Sequence, residues 1–113
     1  MSGKEKNFEN QIKTYLKHCN CYYVKFFANG FTKRGVPDIL ACINGYFVGI
    51  EVKSDAGKPT PIQLHNIDQI RRCGGYAWVV YPTGYEKLKS IINRILDGKS
   101  IKESEVIENA DIR

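Results

Sequence analysis

Asp38, Glu51 and Lys53 stand at a spacing that suits phosphodiester chemistry. Glu51 and Lys53 flank Val52 at the end of the apolar run 46–53. Alternate residues of a strand share a face. Tyr46, Val48, Ile50 and Val52 therefore point one way, and Phe47, Gly49, Glu51 and Lys53 the other. Glu51 and Lys53 are then neighbours, roughly 7 Å apart at Cα. Asp38 opens the preceding strand-like run, 38–43, which Asn44-Gly45 joins to the next. Asn-Gly readily adopts the positive φ that a two-residue hairpin turn needs. Asp38 and Glu51 are equidistant from that turn, so the hairpin predicts them side by side. Two carboxylates can hold a hard divalent cation, Mg²⁺ or Mn²⁺, whose other positions take water and phosphate oxygen. A lysine beside them can neutralise charge developing on the phosphate. The competing reading of the triplet is a salt bridge at a sheet rim, worth about 0–1 kcal/mol.

The surrounding pattern supplies the elements that must position these groups. Ser2-x-x-Glu5 has capping-box spacing, and Phe8, Ile12, Tyr15 and Leu16 then fall on one helical face, opposite Lys6, Lys13 and Lys17. The aromatic and β-branched run 22–27 reads as a strand. Asn29-Gly30 and Gly35 mark a loop that Lys33 and Arg34 make basic. Thr60-Pro61-Ile62-Gln63 reads as a capped helix start, with Ile62, Ile67 and Ile70 as its apolar residues and Gly74-Gly75 as its stop. The apolar run 76–81 fits a strand buried on both faces, and Pro82 ends it. Thr83-x-x-Glu86 opens a last helix carrying Leu88, Ile91, Ile92, Ile95 and Leu96, which Gly98 ends. The stretch after Lys99 is polar and expected to be loosely ordered. The order α-β-β-β-α-β-α combines an antiparallel hairpin with a right-handed parallel crossover. It predicts an α/β fold: a mixed sheet of about four strands flanked by helices. Residues 1–98 form one domain and 99–113 a polar C-terminal tail.

Composition narrows the partners. Lys and Arg number 17 and Asp and Glu 12, a net charge of +5 that favours a polyanion such as nucleic acid. No apolar run approaches the roughly 20 residues of a membrane span. The N-terminus has no apolar signal segment, so a cytoplasmic location is expected, with no membrane partner. Cys19, Cys21, Cys42 and Cys73 include no C-x-x-C pair, and free thiols in a reducing compartment are expected. Cys42, in an apolar run, reads as a small core residue. His18, Cys19 and Cys21 lack the remote fourth ligand that a zinc site would need.

The string Gly35-Val36-Pro37-Asp38, then Glu51-Val52-Lys53, then Thr60-Pro61-x-Gln63 and a helix ending Gly-Gly, closely resembles the PD-(D/E)XK nuclease superfamily. Within it the chain is similar to the virus-type replication–repair nuclease (VRR-NUC) family, over about residues 5–95. The resemblance implies a restriction-endonuclease-like α-β-β-β-α-β core and a Mg²⁺- or Mn²⁺-dependent DNA endonuclease. It further implies structure-specific cutting of branched DNA, Holliday junctions included, by a homodimer in a bacterial or phage-infected cell. Asp38 and Glu51 match the family's metal-binding acids, the backbone carbonyl of Val52 its third protein ligand, and Lys53 its catalytic lysine. Gln63 matches a glutamine near the active site, a role compatible with its place in a capping box. Glu9, in the pattern Glu9-x-x-Ile12-x-x-Tyr15-Leu16, matches an acid on the first helix that reaches the metal directly or through water. Glu5 lies one turn earlier on nearly the same face and is the alternative.

Lys33, Arg34, Lys58, Arg71 and Arg72 are candidates for DNA phosphates or plain solubilising charges. His65, near Gln63 on the second helix, reads as a solvated or packed histidine rather than a general base, and Asp55 as a surface residue. Tyr22, Tyr23, Phe26, Phe27, Tyr46 and Trp78 read as core or interface aromatics. A chain this small has little surface for reading bases, which favours recognition of DNA shape by two symmetric sites. The alternatives are a nuclease for flaps, nicks or plain duplex, and a catalytically idle DNA-binding protein of the same fold.

Overall fold

The turn at Asn44-Gly45 organises the sheet. Asn44 (φ 50°) and Gly45 (φ 83°) both take the left-handed conformation, and they join β2 (Ile39–Ile43) to β3 (Tyr46–Val52). The register pairs Ile43 with Tyr46 and runs to Ile39 opposite Ile50. The computed structural model describes residues 3–99 and 110–113. Ser2, the expected first cap, and most of the stretch expected as a tail lie outside the described residues.

α1 (Gly3–His18) leads into β1 (Tyr22–Lys25), which pairs antiparallel with β2. The ladder gains one more bond, from the Phe26 N–H to the Asp38 carbonyl (2.8 Å). β1 therefore stops short of the expected 22–27. α2 (Pro61–Arg72) crosses from β3 to β4 (Tyr76–Val80), and the two strands are parallel, as the β-α-β pattern predicts. Its N-terminus is the expected capping box: the Gln63 N–H donates to Thr60 Oγ1 and the Thr60 N–H to Gln63 Oε1. α3 (Tyr85–Leu96) follows.

Two features depart from the expectation. Thr83 does not cap α3; it lies in a 3₁₀ turn, Pro82–Gly84, and Gly84 is the capping residue, without a side-chain bond. The cause is the second departure. Asp111 and Ile112 return to the sheet as β5, parallel to β4, so among the described residues the sheet has five strands in the order β1-β2-β3-β4-β5. A Cβ on Gly84 would lie 2.4 Å from the Ile112 carbonyl oxygen, so the turn is shaped by the close approach of β5.

Helices cover the sheet on both faces. Phe8, Ile12 and Leu16 of α1 and Leu88, Ile91, Ile92 and Ile95 of α3 pack on Ile39, Ala41, Ile43, Val48, Ile50, Val52, Trp78 and Val80. On the other face Ile67 of α2 packs with Ala77, Val79 and Tyr81. α2 sits over β3 and β4. On its side of the sheet Tyr22, Val24 and Phe47 stay exposed. Cys42 belongs to this row through its pairing with Tyr22 and Phe47, so it is exposed rather than a core residue. All four cysteines are free thiols, and Trp78 is fully buried. No helix among the described residues is long and apolar enough to cross a membrane.

Candidate active site

The end of the sheet where β2 begins and β3 finishes gathers acids from three elements. The Ile39–Ile50 pairing carries Asp38 to a position opposite Glu51, as the distance from the turn predicts. Asp38 Oδ2 accepts a hydrogen bond from the backbone N–H of Val52 (2.9 Å). Lys53 Nζ lies 3.6 Å from Glu51 Oε2. Glu51 is only 2% exposed, and its Oε1 is buried without a hydrogen-bond partner among the described residues. Burial, and then the neighbouring Asp38 carboxyl, push the Glu51 carboxyl up to about 9; Lys53 pulls it down without cancelling them.

α1 contributes Glu9, which is 3% exposed. Its Oε1 pairs with Lys25 Nζ at 2.6 Å, and its Oε2 with Lys13 Nζ at 3.4 Å, one helical turn away. Lys25 Nζ also lies 3.4 Å from Asp38 Oδ1. Glu9 thus joins the cluster through an ammonium group. Glu5 sits further along, its Oε1 accepting from the Ser54 N–H (3.1 Å) in the loop after Lys53. Both helix acids face this end of the sheet, and it is Glu9 that connects to Asp38.

A buried carboxyl oxygen with no donor is the kind of atom a cation satisfies once the group has shed its proton. Glu51 Oε1 and Asp38 Oδ1 therefore fit a divalent ion. Among the described residues no group of three or more His, Cys, Asp or Glu side chains is assembled to hold a metal. Such an ion would rest on two carboxylates, backbone and water, the sparse donor set that Mg²⁺ accepts.

The remaining candidates are spread around this centre. Gln63 stays half-buried in its cap, beside Arg34, Gly35, Thr60 and Ile62 in an open groove of about 420 Å³. Lys33, Arg34 and Lys58 are exposed, as are His65 and Asp55. Arg71 donates from Nε to the Ala77 carbonyl of β4 (3.0 Å), tying the end of α2 to the sheet, and Arg72 pairs with Asp68 one turn back on α2 (2.7 Å).

Two residues escaped the sequence reading. Lys25 sits inside an aromatic run; the signal was a charge on the inward face of a strand, in step with Tyr23. Asn66 is buried on α2, and its amide donates to the Arg34 carbonyl (3.0 Å) and the Ile62 carbonyl (2.9 Å). It ties the basic loop to α2. Beside it Gly35 has φ 77°, and a Cβ there would meet the Ile62 carbonyl oxygen at 2.6 Å. This close approach delivers Pro37 and Asp38 to the start of β2.

The family model described as archaeal Holliday junction resolvase (Hjc) matches residues 1–106. No curated protein matches the sequence.

Proposed function

The chain belongs to the archaeal Holliday junction resolvase family, a PD-(D/E)XK-type nuclease family, and from that premise we propose that it is a Mg²⁺- or Mn²⁺-dependent endonuclease that cuts branched DNA as a homodimer. The observation that carries the metal-dependent reading is the Asp38–Glu51 pair at the sheet end, with a buried Glu51 oxygen lacking a donor. Within the superfamily, the Gly35-Val36-Pro37-Asp38 segment and the Thr60-Pro61-x-Gln63 helix start also favour a likeness to the VRR-NUC family.

Asp38, Glu51 and the Val52 carbonyl would hold the cation, with Glu9 reaching it through water. When bound, the ion polarises the scissile phosphate and makes its attacking water more acidic. Lys53, held beside Glu51, places its ammonium where charge grows on the phosphate. Gln63, at the mouth of the groove, orients the strand being cut. Lys33, Arg34 and Lys58 meet neighbouring phosphates, a contact that weakens with salt. The dimer reading rests on the exposed row Tyr22 (73%), Val24 (41%) and Phe47 (49%), on the part of its sheet face that α2 leaves uncovered. Such a row marks an interface more often than a free surface.

The test is cleavage of a synthetic four-way junction in Mg²⁺ against EDTA, with product mapping on flap and linear duplexes. The wild type should cut in Mg²⁺ alone. Asp38→Asn and Glu51→Gln should bind the junction without cutting it. Turnover retained in either variant would remove the site assignment. Binding without cleavage by the wild type would leave an idle DNA-binding protein.

A further inference from the structure

Lys25 occupies a position that the proposed chemistry leaves without a task. Its ammonium stands between Glu9 Oε1 (2.6 Å) and Asp38 Oδ1 (3.4 Å). The other Asp38 oxygen is taken by the Val52 N–H, so Oδ1 is the one that could turn to a cation. Lys25 therefore holds the oxygen that the cation needs. We propose that Lys25 is a built-in counter-ion of the active site: it keeps Glu9 and Asp38 together while no divalent ion is bound, and the ion must displace it from Asp38 to bind.

This inference rests on the reading of Asp38 and Glu51 as the cation site. Elementary electrostatics supports it. Glu9 and Asp38 approach one another across a partly buried gap, where like charges repel strongly. An ammonium between them removes that repulsion, and a divalent ion does the same with more charge. The two cations repel each other, so they compete. Glu9 is not stranded by the exchange, because Lys13 holds its other oxygen. Lys25 has somewhere to go: the Phe27 ring lies 5.9 Å from its Nζ, near enough to receive the ammonium on its face.

The experiment measures Mn²⁺ binding by calorimetry on the full chain without DNA, beside melting curves with and without Mn²⁺. Lys25→Met should bind Mn²⁺ on the order of tenfold more tightly than the wild type. It should melt lower without metal and recover more when Mn²⁺ is added. Lys25→Arg, which keeps the charge, should stay within a few-fold of wild type in affinity. In the wild type, Mg²⁺ should shift the lysine ¹³Cε resonance that is missing from Lys25→Arg, along the same binding curve; this reading survives if Lys25→Met fails to fold. Unchanged or weaker Mn²⁺ binding by a folded Lys25→Met, or a lysine resonance that ignores Mg²⁺, would overturn the counter-ion role alone. A wild type that binds no Mn²⁺ would overturn the cation site and this inference with it.

Discussion

The side chain of Asp38 accepts a 2.9 Å hydrogen bond from the backbone N–H of Val52, the residue between Glu51 and Lys53. A side chain thus extends the β2–β3 ladder by one rung, satisfying an N–H where the backbone of β2 no longer can. The acid proposed to bind the cation also fixes the strand end that carries its two partners. Asp38→Asn keeps an oxygen for this bond, whereas Asp38→Ala loses it. Urea unfolding without metal should show Asp38→Ala losing about 1–3 kcal/mol. Asp38→Asn should lose less, although both abolish cleavage. Equal stabilities would show that the bond does not hold the strand end.

Glu51 gives the protein a pH dependence of definite sign. Its folded carboxyl titrates at about 9 against an ordinary 4.5. The folded state therefore holds a proton that the unfolded chain has released. The stability from this group is full below pH 4.5 and is lost as pH rises towards 9. Without metal, wild-type stability should fall across that window relative to Glu51→Gln. By pH 9 the difference should be on the order of a few kcal/mol in favour of the variant. Cation binding runs the other way, because the carboxyl must shed its proton, so Mg²⁺ affinity should rise with pH over the same range. Parallel urea midpoints for the two proteins across the range would refute the buried-acid assignment.

What the sequence showed and what it hid follow from the range of the interactions. Asn44-Gly45 needs its two φ values locally, so the hairpin and the level of Asp38 with Glu51 were readable from spacing alone. Thr60 and Gln63 cap each other across three residues, and that too was readable. Lys25 was not, because its partners lie 16 and 13 residues away, on a helix and another strand. Asn66 meets Arg34 across 32 residues. The Thr83 cap was a sound local pattern overridden by β5, whose two residues, Asp111 and Ile112, carry no periodicity to announce a strand.

Gly35 and Asn66 should matter for geometry rather than charge. The positive φ of Gly35 and its contact with the Ile62 carbonyl leave no room for a side chain. Gly35→Ala should cost about 1–3 kcal/mol and reduce cleavage, because the chain must back away from α2 just before Asp38. Asn66→Leu takes the side-chain donor away from the Arg34 carbonyl and so unties the loop from α2, at a similar cost. Both losses should appear in urea unfolding, and the double variant should lose less than the sum, since the two act on one contact. Full additivity would separate them.

The uncovered row of β1, β2 and β3 makes the proposed dimer testable. Tyr22 and Phe47 lie on the same face, each opposite Cys42. A two-fold partner seated there would bury both aromatics, so Phe47→Glu should convert a dimer to a monomer in light scattering while leaving the fold intact. A wild type already monomeric, alone and on a four-way junction, would exclude paired cutting by two copies.

Lys53 separates catalysis from a structural ion pair. Its Nζ lies 3.6 Å from Glu51 Oε2, too long for a strong hydrogen bond and well placed to leave Glu51 for a phosphate. Lys53→Met keeps most of the stem and removes the charge. An ion pair this buried, if purely structural, would lose about 3–5 kcal/mol of stability and little activity. A lysine that meets charge developing on the phosphate should lose on the order of 10²-fold or more in single-turnover rate, with Mn²⁺ affinity and melting temperature little changed. Because removing Lys53 also removes a cation beside Glu51, a variant that binds Mn²⁺ more tightly would place Lys53 in the electrostatics of the acid pair as well. A variant cutting within a few-fold of wild type would return Glu51-Val52-Lys53 to the ordinary end of a strand.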